Sequence, residues 1–223
     1  MSLILNIDTA TETARVSFAK DGKVLQSLSN ELQKDHAAFL QRAIQQLTQS
    51  AALTLSDIDA VAVTAGPGSY TGIRVGMASA KGLCYALNKP LITINTLQFL
   101  TAAAKQQFGS GEEILFCPMI DARRMEVFTA LYNTQLTAIL PPCAMILGEG
   151  SFLTHLEKNK IAFFGSGAAK WKPLCKHSNA SFTDVSNLPE AMAALSNTYF
   201  LQQQFADLAY SEPFYIKEFQ DKI

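Results

Sequence analysis

With 223 residues, 48% of them hydrophobic and 17% charged, the chain has the make-up of an ordered globular protein, one large domain or two lobes, which excludes a disordered tail. A net charge of −1 excludes a positive field strong enough to draw the chain by itself to nucleic acid or to an acidic membrane surface. No stretch reaches the length of a bilayer span, and the opening MSLILNIDTA is an apolar run stopped at Asp8 without a basic region or cleavage site, so a cytoplasmic protein without a membrane partner is expected.

In chain order, LILNID, ARVSFAK and KVLQSLSN alternate apolar and polar residues, and the KDG between the second and third predicts an antiparallel meander of three strands. In DHAAFLQRAIQQLTQSA, residues Phe39, Leu40, Ala43, Ile44 and Leu47 recur at helical spacing. LSDIDAVAVTAG then predicts a helical turn capped by Ser56 and an apolar strand over 60–65. A helix from about 71 to 87 runs out at NKP, LITIN is a further strand, and another helix covers about 96–108. GSGEE at 109–113 reads as a hinge, dividing a first lobe of 1–108 from a second of 109–223. In the second lobe ILFCPMIDA, EVFTALYN and LTAILPP read as strands around an Arg123-Arg124 turn that faces solvent. A short helix near 150–158, the strand IAFFG, the helix LPEAMAALSNTYFLQQQFAD and a tail whose Pro213 stops helix continuation complete it. Both lobes open with meander-like strands, a hint of duplication.

Cys84, Cys117, Cys143 and Cys175 are far apart, with no paired motif and no histidine at ligand spacing, so free and mostly buried thiols are expected. The lysines at 158, 160, 170, 172 and 176 surround Trp171; a solvated face accounts for them more simply than contact with RNA. His36, opening a helix after Asp35, needs no role beyond that position.

The stretch TAGPGSYTGIRVGMASAKG, residues 64–82, carries the sharpest question. It lacks the lysine and hydroxyl of a Walker loop, since Gly72 is followed by Ile73 and Arg74. The dinucleotide fingerprint also fails, because Thr71 stands where its third glycine belongs. The helix N-terminus remains an anion or nucleotide candidate, made of Asp8, Gly66, Gly68, Ser69 and Thr71, although Ser69 and Thr71 are also explained as helix caps. Gly72, Gly76 and Ala80 form one stripe of small residues and Ser79, Gly82 and Ala86 another. Glycine inside a helix costs about 1 kcal/mol against alanine, so these positions point to something packed closely, either a second body or this domain's own sheet.

NIDTATETARVSFAKDG, ELQKDHAAFLQRAIQQL, DIDAVAVTAGPGSYTGIRVGMASAKGL and PLITINTLQFL together resemble the TsaB family, the non-catalytic subunits of the bacterial tRNA threonylcarbamoyladenosine complex. The likeness is strong over about the first hundred residues and looser in DARRMEVFTALY, GSGAAKW and EPFYIKEF. It implies an α/β chain of the actin-like ATPase (ribonuclease H-like) fold, two lobes with mixed sheets flanked by helices. It also implies a scaffold that binds TsaD, with TsaE as third member, in a complex that transfers a threonylcarbamoyl group to adenosine beside the tRNA anticodon. The chain alone would be a homodimer and would meet tRNA only through the complex. The implied interface lies on the first-lobe helices, at His36, Phe39, Leu40, Ala43, Leu47, Gly72, Ile73, Gly76, Met77 and Ala80. No cofactor is implied, with ATP or ADP at the partner interface left open.

TsaD carries a histidine-based metal motif after the last strand of the first lobe. Here that segment is NTLQFL, with Thr96 and Leu100 at the histidine positions and Gln98 at the glutamate. The alternative reading is a sugar or carboxylate kinase of the same fold, with Asp8 and Asp121 at strand ends and GSGAA at 165–169 toward adenosine. Against it, the turn after Asp8, TATETA, has no glycine to wrap phosphate. The purified chain is therefore expected to contain no stoichiometric iron or zinc; elemental analysis finding about one ion per chain would overturn this.

Overall fold

Alternating apolar residues and the Asp-Gly turn begin the chain as a meander. In the computed structural model, which describes residues 1–31, 36–108 and 113–217, β1 (Leu3–Asp8), β2 (Ala14–Lys20) and β3 (Lys23–Asn30) pair antiparallel. Asp21 and Gly22 both take positive φ, 49° and 78°, as a tight hairpin turn demands. β1 also pairs in parallel with β4 (Ala60–Gly66), and β4 with β5 (Leu91–Asn95), giving the order β3-β2-β1-β4-β5.

The chain divides into two units. The first is Met1–Phe99 with Asn187–Phe214, and the second is Leu100–Ser186 with Tyr215–Ile223. In the first unit, α1 (His36–Ser50) and α2 (Tyr70–Leu87) cover one face of the sheet. Leu40, Ala43, Ile44 and Leu47 of α1 join Leu5, Ile7, Val16, Phe18, Val61, Val63 and Met77 in one core. Each fully buried Leu, Ile, Val, Phe or Met side chain among them contributes about 1.5–3 kcal/mol. The helical turn at Leu55–Asp57 is capped by Thr54, whose hydroxyl and amide both donate to Asp57, rather than by Ser56. α2 starts at Ser69, whose Oγ accepts the Gly72 amide, and ends at Asn88 in the left-handed region, just before Pro90.

The C-terminal helix corrects the expected division. It is α6 (Leu188–Leu201), shorter than the sequence suggested, and it packs on β1, β2, β3 and β5 of the first unit instead of belonging to a second lobe. The reason is that β1 is buried at every position from Ile4 to Asp8, and such a strand needs cover on both faces. The expected hinge falls mostly on residues 109–112, outside the described residues.

In the second unit, β6 (Ile114–Asp121), β7 (Glu126–Tyr132) and β8 (Ala138–Ile146) form a meander, and β9 (Lys160–Phe164) and β10 (Ala180–Phe182) add in parallel. The order β8-β7-β6-β9-β10 repeats that of the first unit, so the hinted duplication is real at the level of topology. α3 (Thr96–Lys105) is shorter than expected, α4 is Leu153–Leu156, and α5 (Ala168–Trp171) and β10 are elements that sequence patterning missed. Trp171 is fully buried against Phe152, Phe163 and Phe182, and its Nε1 donates to the Gly148 carbonyl at 3.0 Å. It therefore takes no part in any basic surface. Among the described residues no helix is long and apolar enough to cross a membrane.

Gly72 faces the β1–β2 turn, where a β-carbon would overlap the Thr9 carbonyl oxygen, whereas one on Gly82 would meet open space. Gly72→Ala should thus destabilise the chain by about 1–3 kcal/mol, and Gly82→Ala should stabilise it by about 1 kcal/mol. Thermal unfolding reads these as shifts of opposite sign, and shifts of the same sign would contradict the packing described.

Candidate functional site

The glycine turn is a contact between two backbones. β-carbons on Gly68, Gly72 and Gly76 would overlap the Ala10 carbonyl, the Thr9 carbonyl and the Thr9 hydroxyl in turn. In place of those side chains the Ser69 amide donates to Ala10 O at 2.7 Å and Thr9 Oγ1 donates to Gly72 O at 2.7 Å. Gly66, with φ 115°, is covered by the backbone of Phe214, whose amide donates to Ala65 O at 2.7 Å. The candidate anion turn is therefore occupied by the chain itself along the side facing Thr9 and Ala10.

Asp8 sits at the head of this turn and is 3% exposed. Its Oδ2 accepts Arg15 Nη1 at 3.3 Å, and its Oδ1 accepts the Thr64 hydroxyl at 2.9 Å and the Ala10 amide at 3.2 Å. The negative charge that would hold a nucleotide-bound cation is already neutralised by Arg15. Asp121 repeats the pattern in the second unit. Its Oδ1 accepts Lys170 Nζ at 2.5 Å and the Arg123 amide at 2.6 Å, and its own amide donates to Ser166 Oγ. Gly165, with φ 93°, lies against the Met119 carbonyl, so GSGAA also serves close backbone packing. Burial pulls the Asp121 carboxyl upward, but the hydrogen bonds from Lys170 and Arg123 and the lysine charge outweigh it, leaving the group below the usual carboxylate range.

At the segment compared with the metal motif, Thr96 is buried and Leu100 nearly so, while Gln98 Oε1 accepts the Tyr199 hydroxyl at 2.7 Å. Among the described residues no group of three or more His, Cys, Asp or Glu side chains could hold a metal ion. The four cysteines are free; burial raises the Cys84 thiol to about 11 and pushes the Cys117 thiol up as well.

The expected interface residues need correction. His36, Leu40, Ala43, Leu47, Gly72, Ile73, Gly76, Met77 and Ala80 are all buried, and only Phe39 among them is partly exposed. Their apolar or small side chains face the sheet and the β1–β2 turn; His36 Nε2 lies 3.0 Å from the Thr11 carbonyl. The exposed face of the pair comes from Ala37, Ala38, Gln41 and Gln45 on α1 and from Arg74, Ala78, Gly82 and Tyr85 on α2. Gln41 Nε2 donates to Ser79 Oγ across the pair at 3.3 Å. Arg74 lies over the Tyr70 ring, 4.8 Å from its centre, and donates to its hydroxyl at 2.8 Å. Tyr85 is 83% exposed. The signal was present in the second stripe, Ser79, Gly82 and Ala86, but nothing in the sequence distinguished it from the first.

The chain matches the family model described as TsaD: tRNA N6-adenosine threonylcarbamoyltransferase over residues 27–221. The tRNA threonylcarbamoyladenosine biosynthesis protein TsaB of Escherichia coli K12 is 29% identical, the match covering 96% of this chain and 94% of that one. The protein of the same name from Bacillus subtilis 168 is 28% identical, over 77% of this chain and 74% of its own. A crystal structure from Pseudomonas aeruginosa, of a protein with similarity to peptidase YeaZ, superposes with a TM-score of 0.81 at 24% identity, covering 97% and 100% of the two chains. The fold is the actin-like ATPase fold, two mixed sheets flanked by helices.

Because the folded pKa of Asp121 lies below its unfolded value, its stabilisation is complete once pH is well above the ordinary carboxylate range and is lost as pH falls through the folded value. Denaturant midpoints for the wild type and Asp121→Asn should therefore differ at pH 7 and converge as pH falls below the ordinary carboxylate range. A difference that stays constant across that range would rule out the Lys170 pairing as its source.

Proposed function

Since the chain belongs to the family of TsaD-type tRNA N6-adenosine threonylcarbamoyltransferases, with relatives named TsaB, we propose that it is a non-catalytic scaffold that activates TsaD. The assembly would transfer a threonylcarbamoyl group to adenosine beside the tRNA anticodon, with TsaE as third member and tRNA reached through the complex. The reading locates this chain in the cytoplasm and makes it a homodimer when alone.

One observation carries the reading: both strand-end carboxylates, Asp8 and Asp121, are tied to cations of the same chain while the α1–α2 face stands open. A phosphotransfer site of this fold needs those carboxylates free for a metal–nucleotide complex. The glycine turn that could have wrapped phosphate is packed on Thr9 and Ala10, which also disfavours a sugar or carboxylate kinase. By contrast, the exposed face combines alanines and Gly82, which let a helix approach closely, with the large anchors Arg74 and Tyr85. TsaD is the proposed occupant of that face, and a second copy of this chain takes its place when TsaD is absent. Any ATP or ADP would then lie where the partner meets this chain, outside the packed turn.

The test separates the two stripes of α2. Gly82→Leu fills open space, so the chain should keep its melting temperature while TsaD affinity, homodimer affinity and tRNA modification fall, affinity by about tenfold or more. Gly76→Leu enters Thr9 and Val63 and should chiefly unfold the protein. Unchanged TsaD binding by Gly82→Leu, measured calorimetrically, would exclude this face as the interface.

A further inference from the structure

The second unit carries a groove of about 1360 Å³ that plays no part in the reading above. Lys105, at the end of α3, and Lys158 and Lys160, where α4 leads into β9, line it opposite the β7–β8 turn. All three ammonium groups are exposed, and among the described residues none is ion-paired, whereas Arg15, Lys170 and Lys217 are each held by a carboxylate. Among the described residues Glu113 is the one acidic residue in the lining, so the described part of the groove carries net positive charge in a chain whose total is −1.

Its walls are held in place. Asn133 Oδ1 accepts the amides of Gln135 and Thr137 at 3.0 and 2.9 Å, fixing the β7–β8 turn. Asn179 Nδ2 donates to Leu156 O at 2.8 Å and Asn159 Nδ2 to His155 O at 3.0 Å, pinning the loops beside the lysines. Phe108, half-buried, adds an aromatic ring to the lining. Unpaired cations, neutral amides and an aromatic ring suit the phosphates and bases of RNA, for which charge and stacking supply affinity without a deep pocket. An acidic peptide would use the same charges but has less use for the amide-lined wall.

We propose that this groove binds the sugar–phosphate backbone of tRNA within the assembled complex, adding contacts too few to hold tRNA on this chain alone. The inference rests on the TsaD-partner reading. Three lysines on three phosphates contribute about one unit each to the salt dependence of binding.

The experiment uses the complex of this chain with TsaD and measures tRNA affinity from 50 to 300 mM salt. Lys105→Gln, Lys158→Gln and Lys160→Gln combined should weaken binding by about tenfold or more near 0.1 M salt and lower the log–log slope by about 2–3, with TsaD affinity unchanged. A control removing the same charge elsewhere, Lys20→Gln, Lys23→Gln and Lys172→Gln, should leave most of the slope. An unchanged slope in the groove variant overturns the proposal while sparing the partner reading, and so does equal loss in the control. Loss of TsaD binding instead of tRNA binding marks a protein-docking groove and also overturns it. A wild-type chain that forms no complex with TsaD overturns both readings.

Discussion

The contact of Gly68, Gly72 and Gly76 with Thr9 and Ala10 is the constraint on which the first unit depends. Three glycines one helical turn apart let α2 lie directly on the backbone of the β1–β2 turn. The Ser69 amide and the Thr9 hydroxyl then make hydrogen bonds at a distance that side chains would prevent. This contact fixes α2 against β1 and β4, and α1 is aligned on the same sheet face beside it. The turn has the composition of a phosphate loop, but its amides and carbonyls are used internally.

The same solution recurs in the second unit, where GSGAA packs on the end of β6 and Lys170 neutralises Asp121. Duplication has thus preserved more than strand order. In each unit a carboxylate at the end of the first strand is held by a cation of its own unit, Arg15 in one and Lys170 in the other. With the strand ends closed in this way, the surfaces proposed for other molecules are the outer side of α1 and α2 and the basic groove beside β6 and β9.

Much of the architecture was legible in the sequence because it rests on local rules. Alternation and Asp21-Gly22 give the first meander, the apolar stripe gives α1, and Ser69 marks the start of α2. What could not be read depends on distant partners. Gly72, Gly76 and Ala80 look as suited to a partner helix as Ser79, Gly82 and Ala86 do, since both stripes are small; only the position of Thr9 decides which faces inward. Arg15 is seven residues from Asp8 and Lys170 is forty-nine from Asp121, so neither pairing leaves a motif. α6 carries apolar residues widely around its circumference, and its pattern does not identify the sheet that it covers. The helix ended at Leu201 and not near 207 because the following segment turns back, Ala206 pairing with Leu91 at the edge of β5.

That return of the chain bears on how the protein is made. The second unit is built mainly from the continuous stretch Leu100–Ser186, whereas the first closes only with Asn187–Phe214. During synthesis β1 to β5 emerge first and gain α1 and α2 on one face, but the other face waits for α6. All five strands of the second unit are made in the interval. A chain cut after Ser186 would therefore keep all five strands of the second unit but leave one apolar face of the first sheet open to water and to chaperones.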